Sequence, residues 1–270
     1  AEEIGREWLA VGGKRWRPFL AAAVCEALAG DGETITLKRL AVAVECFHKA
    51  SLVHDDIEDG DLERYDQPTL CSSEGVPVAL NVGDLLIGEG YRLIAEAGLP
   101  AASVTTAVKE AANAQRLLCQ GQGIELSWSR SPQLLSSRQV LEIFRLKTAP
   151  AFDAALQFGA IAAGRYAEVA EVLHRYSEAV GIAYQIRDDL DDLRDDAGLN
   201  RGGPARPSVV LALAAERARG DDRTMLQAIA SGQQVEGVTA DAIRQAVAMA
   251  KADEKAALLL ESYKEQAVRA

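Results

Sequence analysis

The chain has 270 residues, of which 49% are apolar and 26% are charged, and its formal net charge is −11. This length is sufficient for a substantial core, and the negative charge excludes nonspecific nucleic-acid binding, which depends on clustered lysine and arginine. Four cysteines without close pairs, no long uncharged apolar stretch and no signal-peptide pattern predict a cytoplasmic protein without stable membrane insertion. We expect a single domain over residues 1–270.

Apolar residues recur at helical rather than alternating spacing along most of the chain, which favours an all-α fold. The first predicted helix ends at Gly12–Gly13 and is followed by the cationic segment Lys14–Pro18. Because the free N–H groups at a helix start attract anions, this segment indicates an anion site. A solvated turn is the alternative interpretation.

A long helix is predicted over Leu37–Asp59, followed by an irregular acidic loop over Gly60–Gln67. This helix ends in three aspartates, Asp55, Asp56 and Asp59. Since residues three and four positions apart lie on one face of a helix, we expect their carboxylates to converge. Oxygen ligands in this arrangement suit Mg²⁺ bound together with phosphate groups.

Further helices are predicted over Val78–Ala97, Ala101–Leu126, Ser137–Gly159, Ala163–Asp196 and two or three segments up to Ala270, with loops over Ser127–Pro132 and Gly198–Pro207. Gly83 lies inside a helix, where glycine costs about 1 kcal/mol, so close packing or a ligand is expected there. Lys147 stands among apolar neighbours, and such a lysine usually extends its ammonium to the surface.

The Asp-Asp-x-x-Asp spacing recurs at Asp188, Asp189 and Asp192, again after an apolar helical segment. With the cationic turn and the basic residues Arg64 and Lys147, two such clusters predict a site for a polyanion that bridges metal ions. A diphosphate fits this description best. If the diphosphate is a leaving group, metal ions and cations stabilise its charge, and apolar helix walls accept a hydrocarbon tail and a carbocation.

The ordered motifs resemble those of the trans-isoprenyl diphosphate synthases, also called polyprenyl synthetases, from about residue 5 to the C-terminus. They are Gly13–Pro18, Ser51–Asp59, Gly83–Leu86, Gly121–Gln122, Lys147–Thr148 and Tyr184–Asp192. The resemblance implies a helical bundle with a central cavity, the isoprenoid synthase fold, assembled as a homodimer. It also implies a reaction in which an allylic diphosphate, bound with three Mg²⁺ ions, ionises and isopentenyl diphosphate attacks it head-to-tail.

The resemblance implies a role for individual residues of this chain. The implied metal ligands are Asp55, Asp56 and Asp59, with Asp188, Asp189 and Asp192 across the cavity. The implied diphosphate-binding residues are Arg64 and Lys147 for the allylic substrate, and Lys14, Arg17 and His48 for isopentenyl diphosphate. The implied catalytic set is Lys147 together with two residues whose oxygen dipoles would stabilise the allylic cation, Thr148 and Gln185.

The chain departs from the family pattern at two places. After the first aspartate motif the family usually shows Arg-Arg-Gly, whereas here Tyr65 replaces an arginine that contacts isopentenyl diphosphate, and Asp66 adds a negative charge. Losing one charge-assisted contact would weaken that site by roughly 1.5 to 3 kcal/mol. The loop Gly198–Pro207 is shorter than usual and lacks lysine, so Arg201 or Arg206 is expected to substitute.

Product length is predicted from the helix that precedes the first aspartates. Ala50 and Ser51 lie about one turn from Asp55 and are small, while Phe47 lies a further turn away. With a rise of ~1.5 Å per residue, Phe47 forms a floor that limits the product to about fifteen to twenty carbons.

Three alternatives stay open. The replacement at Tyr65 is compatible with transfer to another acceptor or with cyclisation, and also with a regulatory subunit of a hetero-oligomeric synthase. The pairs Glu45–His48 and Glu171–His174 have the Glu-x-x-His spacing of di-iron helix bundles. The di-iron interpretation leaves both aspartate motifs unexplained.

Overall fold

The computed structural model describes residues 1–30, 34–194, 206–233, 235 and 237–270. These residues form twelve helices and one short hairpin, so the all-α prediction is confirmed. The elements are α1 (Glu2–Ala10), α2 (Trp16–Ala29), α3 (Ile35–Asp59), β1 (Glu63–Arg64), β2 (Gln67–Pro68), α4 (Leu70–Ser73), α5 (Val76–Ala95), α6 (Ala101–Arg130), α7 (Ser137–Ala162), α8 (Tyr166–Arg194), α9 (Val209–Arg217), α10 (Gly220–Ala230), α11 (Ala240–Met249) and α12 (Ala252–Arg269). Within the described ranges, no helix has the length and apolar character needed to cross a bilayer. Residues 198–205 of the predicted loop, including Arg201, lie outside the description.

The chain divides into two compact units. Unit 1 comprises Ala1–Gln115 and Ala151–His174, and unit 2 comprises Arg116–Pro150 and Arg175–Ala270. Unit 1 contains two apolar clusters, and unit 2 contains one large cluster in which α7 and α8 pack with the four C-terminal helices. The prediction of one domain over the whole chain stays a prediction.

In unit 1, two glycines of α5 let α3 approach closely. A Cβ atom on Gly90 would lie 2.7 Å from the Phe47 ring, and one on Gly83 would collide with the imidazole of His54. Both rings project from α3 into the space that a side chain on α5 would fill. Close helix packing therefore explains Gly83, as the sequence suggested.

The boundaries of α3 follow from its capping residues. At its start the Thr34 hydroxyl accepts a hydrogen bond from the N–H of Leu37, and at its end Gly60 adopts a left-handed φ of 69°. Glycine reaches this conformation without a steric cost, which makes it a common helix terminator. The predicted helix Leu37–Asp59 is thus confirmed, with two further residues at its start.

A β-hairpin follows α3, where the sequence predicted an irregular loop. Glu63–Arg64 pairs with Gln67–Pro68 in antiparallel register, and the turn residues Tyr65 and Asp66 have φ values of 56° and 59°. Two successive positive φ values are typical of a type I′ turn, which favours asparagine and glycine. A left-handed tyrosine costs about 1–2 kcal/mol, so contacts of the Tyr65 ring must stabilise this turn.

The sixth helix extends beyond its predicted end at Leu126 and continues to Arg130. Trp128, which the sequence placed in a loop, is buried, and its indole N–H donates to the carbonyl oxygen of Gln133 at 2.7 Å. Burial of this large ring favours continuation of the helix. The predicted loop Ser127–Pro132 is therefore wrong over most of its length.

In unit 2, glycines bring α6 and α8 close to one segment of α7. A Cβ atom on Gly121 would lie 2.6 Å from the backbone nitrogen of Lys147, and one on Gly181 would lie 2.5 Å from the Cα atom of Ala149. The segment between these contacts contains Thr148. Its backbone is therefore held on two sides by neighbouring helices.

We expect Gly121→Ala to lower the free energy of unfolding by about 1–3 kcal/mol, because the added methyl group meets backbone atoms that have no room to move. Gly123→Ala is the matched control on the same helix, since nothing lies within 4 Å of its added Cβ. The control should be neutral or stabilising by up to about 1 kcal/mol, because alanine favours helix. Urea unfolding of the two variants measures the difference, and equal midpoints would contradict the close approach.

Candidate functional site

The first group of predicted metal ligands divides into one buried and two partly exposed carboxylates. Asp56 is only 1% exposed, whereas Asp55 and Asp59 are half-buried. Among the residues that the structure describes, no three His, Cys, Asp or Glu side chains are grouped so that they could hold a metal ion. Oδ1 of Asp56 faces Arg64 on the hairpin instead, and the convergence of the three carboxylates on one metal ion stays a prediction.

Arg64 on the hairpin occupies the acidic cluster. Its Nε and Nη2 atoms both lie 2.5 Å from Oδ1 of Asp56, and Nη2 lies 3.7 Å from Oδ2 of Asp55 and 3.5 Å from Oδ2 of Asp61. Burial nevertheless raises the pKa of Asp56 to about 6, although the guanidinium opposes this shift. The second oxygen of Asp56, Oδ2, is buried and has no hydrogen-bond partner among the described residues.

These oxygens fit a hard divalent cation. Asp55 and Asp56 already share one cation, the Arg64 guanidinium, and the Oδ2 atom of Asp56 lacks a hydrogen-bond donor within the described structure. Carboxylate oxygens are the ligands that Mg²⁺ prefers in proteins. The donor chemistry therefore fits Mg²⁺, while the assignment of Asp55, Asp56 and Asp59 as its ligands stays a prediction.

Two of the three residues predicted to bind isopentenyl diphosphate are in contact. Nη1 of Arg17 lies 3.2 Å from Nε2 of His48, and because a guanidinium only donates, the imidazole nitrogen must accept. Burial, followed by the positive charges of Arg17, Lys49 and Arg64, lowers the pKa of His48 to about 3. Lys14 lies exposed on the turn before α2. The diphosphate-binding charge is thus expected from Arg17 and Lys14, with His48 neutral.

The lowered pKa of His48 predicts loss of stability in acid. Between pH 6.5, the ordinary pKa of histidine, and about pH 3, the unfolded chain binds more protons than the folded one. The free energy of unfolding therefore decreases as the pH falls through this range. Asp56 makes the opposite contribution to stability, because its pKa rises from 3.8 to about 6 on folding.

We therefore expect His48→Gln to remove the contribution of His48 to the pH dependence of stability and to keep the contribution of Asp56. Between pH 6.5 and 4.5, the free energy of unfolding of the parent should fall relative to that of this variant by about 2.3 kcal/mol, because the unfolded imidazole, half protonated at pH 6.5, takes up the rest of its proton over this range. Metal-free urea unfolding at both pH values measures it. A difference independent of pH would contradict the buried, neutral imidazole.

In unit 2, three predicted catalytic residues have defined partners. Nζ of Lys147 donates to Oε1 of the buried Glu125 at 2.9 Å, so the interpretation of Lys147 as a surface-directed lysine is not supported. Nε2 of Gln185 donates to Oγ1 of the buried Thr148 at 2.8 Å. Thr148 and Gln185 are thus brought together, and the carbonyl oxygen of Gln185 is the end of its amide that can face a cation.

One residue of the second aspartate cluster, Asp189, caps the first turn of α9. Oδ2 of Asp189 accepts hydrogen bonds from the Ser208 hydroxyl at 3.0 Å and from the N–H groups of Val209 and the following residue at 2.5 and 3.2 Å. Burial raises the pKa of Asp189 to about 7 in spite of these bonds. Asp188 and Asp192 are half-buried on the same helix. The metal role of the three residues stays a prediction, and the helix-capping role of Asp189 was not foreseen.

The di-iron alternative finds no support in the described structure. Within those residues, neither Glu-x-x-His pair belongs to a group of three potential metal ligands. Nδ1 of His174 instead lies 2.7 Å from Oδ2 of Asp153. A hydrogen-bonded carboxylate explains this histidine without a metal ion.

Comparison with known proteins assigns the chain to a family. The family model for polyprenyl synthetases matches residues 1–249. The chain belongs to the polyprenyl synthetase family. The resemblance that the sequence motifs suggested is therefore confirmed over nearly the whole length.

Individual members of this family resemble the chain in sequence and in structure. A geranylfarnesyl diphosphate synthase of Natronomonas pharaonis is 30% identical over 214 residues, which cover 73% of this chain and 62% of that protein. The crystal structure of a geranylgeranyl pyrophosphate synthetase from Pyrococcus horikoshii Ot3 superimposes with a TM-score of 0.85 at 28% identity, covering 98% of this chain and 81% of the other. A polyprenyl synthase from Caulobacter crescentus CB15, complexed with calcium and isoprenyl diphosphate, gives a TM-score of 0.81 at 29% identity, with coverages of 98% and 80%.

The sequence motifs of this polyprenyl synthetase family member did not indicate the buried charge of Lys49. Lys49 is 1% exposed and lies beside the predicted ligand residue His48 on α3. A signal for it exists, because Lys49 falls on the stripe of buried residues that includes Cys46 and Val53. A lysine on the buried stripe of a helix predicts an internal partner.

Proposed function

We propose that this chain is a Mg²⁺-dependent prenyltransferase that condenses an allylic diphosphate with isopentenyl diphosphate to form a short-chain trans-prenyl diphosphate. The observation that carries the proposal is the contact of Arg64 with Asp55 and Asp56. Carboxylate oxygens suit a divalent cation and a guanidinium suits a diphosphate, so their proximity supports the proposal. The names and bound ligands of the related proteins agree with this chemistry.

Arg64 has a different partner before and after the allylic diphosphate binds. In the structure its guanidinium neutralises the carboxylate of Asp56. We propose that Asp55, Asp56 and Asp59 bind Mg²⁺ when the diphosphate enters, which releases Arg64 to donate to phosphate oxygens. When bound, Mg²⁺ supplies positive charge that stabilises the departing diphosphate.

The reaction then needs little from the side chains beyond positioning and charge. The C–O bond of the allylic diphosphate breaks, and its electron pair leaves with the diphosphate. The oxygen dipoles of Thr148 and Gln185 stabilise the resulting cation. The double bond of isopentenyl diphosphate supplies the electron pair for the new C–C bond, and the released diphosphate accepts the proton that is lost. Arg17 and Lys14 bind the diphosphate of the second substrate.

The finer assignments rest on the family resemblance alone. We infer that three Mg²⁺ ions accompany the diphosphate, that Asp188, Asp189 and Asp192 take part in binding them, and that Lys147 contacts the allylic diphosphate. We also infer that the protein acts as a homodimer in the cytoplasm.

The proposal is tested by incubating the pure protein with Mg²⁺, isopentenyl diphosphate and each allylic diphosphate in turn, followed by identification of the products. We expect elongated prenyl diphosphates. Conversion of the allylic substrate without coupling would indicate the altered chemistry and contradict the proposed acceptor. Activity that requires another synthase subunit would support the regulatory alternative instead.

Phe47 is predicted to limit product length. Its ring packs against the position of Gly90 and meets Tyr91 edge to face, with ring centroids 5.0 Å apart. Phe47→Ala removes this barrier, so we expect products longer than about twenty carbons, at ~1.5 Å of helix rise per residue. Phe19→Ala is the control, because Phe19 is exposed on α2. An unchanged product profile for Phe47→Ala would contradict the floor.

A further inference from the structure

Lys49 is among the largest fully buried side chains in the described part of the molecule. It lies on α3 next to His48, with 1% of its surface exposed. Burial lowers its pKa, and the charge of Glu45 opposes that shift. Enclosing an uncompensated ammonium costs several kcal/mol, so the surroundings of Lys49 must stabilise it strongly.

Two carbonyl groups and two aromatic rings surround the ammonium. Nζ donates hydrogen bonds to the carbonyl oxygens of Val11 at 3.0 Å and Gly12 at 3.1 Å. It also lies 4.6 Å from the centroid of the Trp8 ring and 4.8 Å from that of Tyr65, within the range of cation–π attraction. These described partners are all neutral, and they enclose the charge from three segments of the chain.

Lys49 attaches the turn that precedes Lys14 to α3. The indole N–H of Trp8 donates to the Lys49 carbonyl oxygen at 3.1 Å, so main chain and side chain of Lys49 both hold the N-terminal segment. The carbonyls bound by its ammonium belong to Val11–Gly13, which directly precedes Lys14. A Cβ atom on Gly13 would lie 3.3 Å from the hydroxyl oxygen of Tyr65. The turn is therefore fixed from both sides.

We propose that Lys49, enclosed by Trp8 and Tyr65, is a positioning residue that holds Lys14 and Arg17 in place for the diphosphate of the second substrate. This inference rests on the proposed function. It also explains the tyrosine that stands where the family motif has arginine. A guanidinium at the place of this ring would face an ammonium about 5 Å away, and like charges repel, whereas an aromatic face attracts it.

The test compares Lys49→Met with Lys38→Met, the same change at an exposed position of the same helix. Steady-state kinetics should show a KM for isopentenyl diphosphate raised about ten- to a hundred-fold in Lys49→Met, the range expected for losing charge-assisted contacts. The KM for the allylic diphosphate and kcat at saturation should stay within about two-fold of the parent. Hydrogen exchange of the Val11 N–H, which donates to the carbonyl oxygen of Glu7 at 3.1 Å, should accelerate in Lys49→Met alone.

Equal rises of both KM values, or no rise with unchanged exchange, would overturn the positioning role. Should Lys49→Met fail to fold, Tyr65 decides, because this residue is 41% exposed. Tyr65→Leu should raise the KM for isopentenyl diphosphate, and Tyr65→Phe, which keeps the ring, should rescue it; equal KM values in the two variants would overturn the proposal. A parent protein that elongates no allylic diphosphate would contradict the proposed function itself, and the exchange measurement would still test the attachment of the turn.

Discussion

Replacing Asp55 by asparagine is expected to lower kcat for prenyl transfer by about 10²–10³-fold, the usual effect of removing one group that stabilises developing charge. The substitution keeps the shape of the side chain and removes its negative charge. Asp55 is half-buried, and its oxygen lies 3.7 Å from the guanidinium of Arg64, which is a weak ion pair. The free energy of unfolding should therefore change little, and the loss should be confined to catalysis.

Glu63→Gln is the matched control for this substitution. It removes the same charge from an exposed position on the neighbouring hairpin. The control should retain the kcat of the parent, and both variants should unfold at nearly the parental urea concentration. Comparable activity of Asp55→Asn and Glu63→Gln at saturating Mg²⁺ would remove Asp55 from the metal site.

Replacing Arg64 by methionine is expected to lower the free energy of unfolding by about 3–5 kcal/mol in the absence of metal ions. Without the guanidinium, the carboxylate of Asp56 is left almost fully buried and has lost its charged partner. The double variant Arg64→Met with Asp56→Leu should recover most of the loss, because replacing both members of a buried pair by apolar groups is often neutral or stabilising.

Urea unfolding of the two single variants and the double variant measures this coupling. Arg92→Met is the control, since Arg92 on α5 pairs with Glu89 and Glu96 at the surface, where ion pairs contribute little to stability. Additive losses in the double variant would show that Arg64 and Asp56 do not stabilise each other. Equal losses in Arg64→Met and Arg92→Met would lead to the same conclusion.

Local signals in the sequence predicted most of the helices. The end of α3 at Asp59 follows from Gly60, whose left-handed conformation terminates the helix. The interior position of Gly83 indicated close packing, and the structure places His54 against it. Thr148 and Gln185, which the resemblance implied together, are hydrogen-bonded to each other, while their catalytic roles stay a prediction.

The features that the sequence did not predict depend on contacts between distant residues. The hairpin turn at Tyr65 lacks the usual glycine or asparagine, so its pattern resembles an irregular loop. Lys49 is stabilised by Trp8 and Tyr65, neither of which is near it in sequence. Asp189 caps a helix whose first residue, Val209, lies 20 positions further along the chain. Composition and periodicity report the faces of single helices and do not identify such partners.

Arg64 has one partner in the structure and another in the role that the resemblance implies. The family resemblance implies a diphosphate-binding role for Arg64, and the structure shows its guanidinium on Asp56. Both positions are explained if the side chain exchanges a carboxylate for a phosphate group when the substrate binds. A buried arginine–carboxylate pair would then hold the acidic cluster together until Mg²⁺ and the diphosphate arrive.

Release of inorganic diphosphate from an allylic diphosphate, measured with Mg²⁺ in the presence and absence of isopentenyl diphosphate, tests prenyl transfer most directly. We expect release to require both substrates and the metal ion, with one diphosphate released for each new C–C bond. Release at the same rate without isopentenyl diphosphate, or no release with both substrates present, would contradict the proposed function.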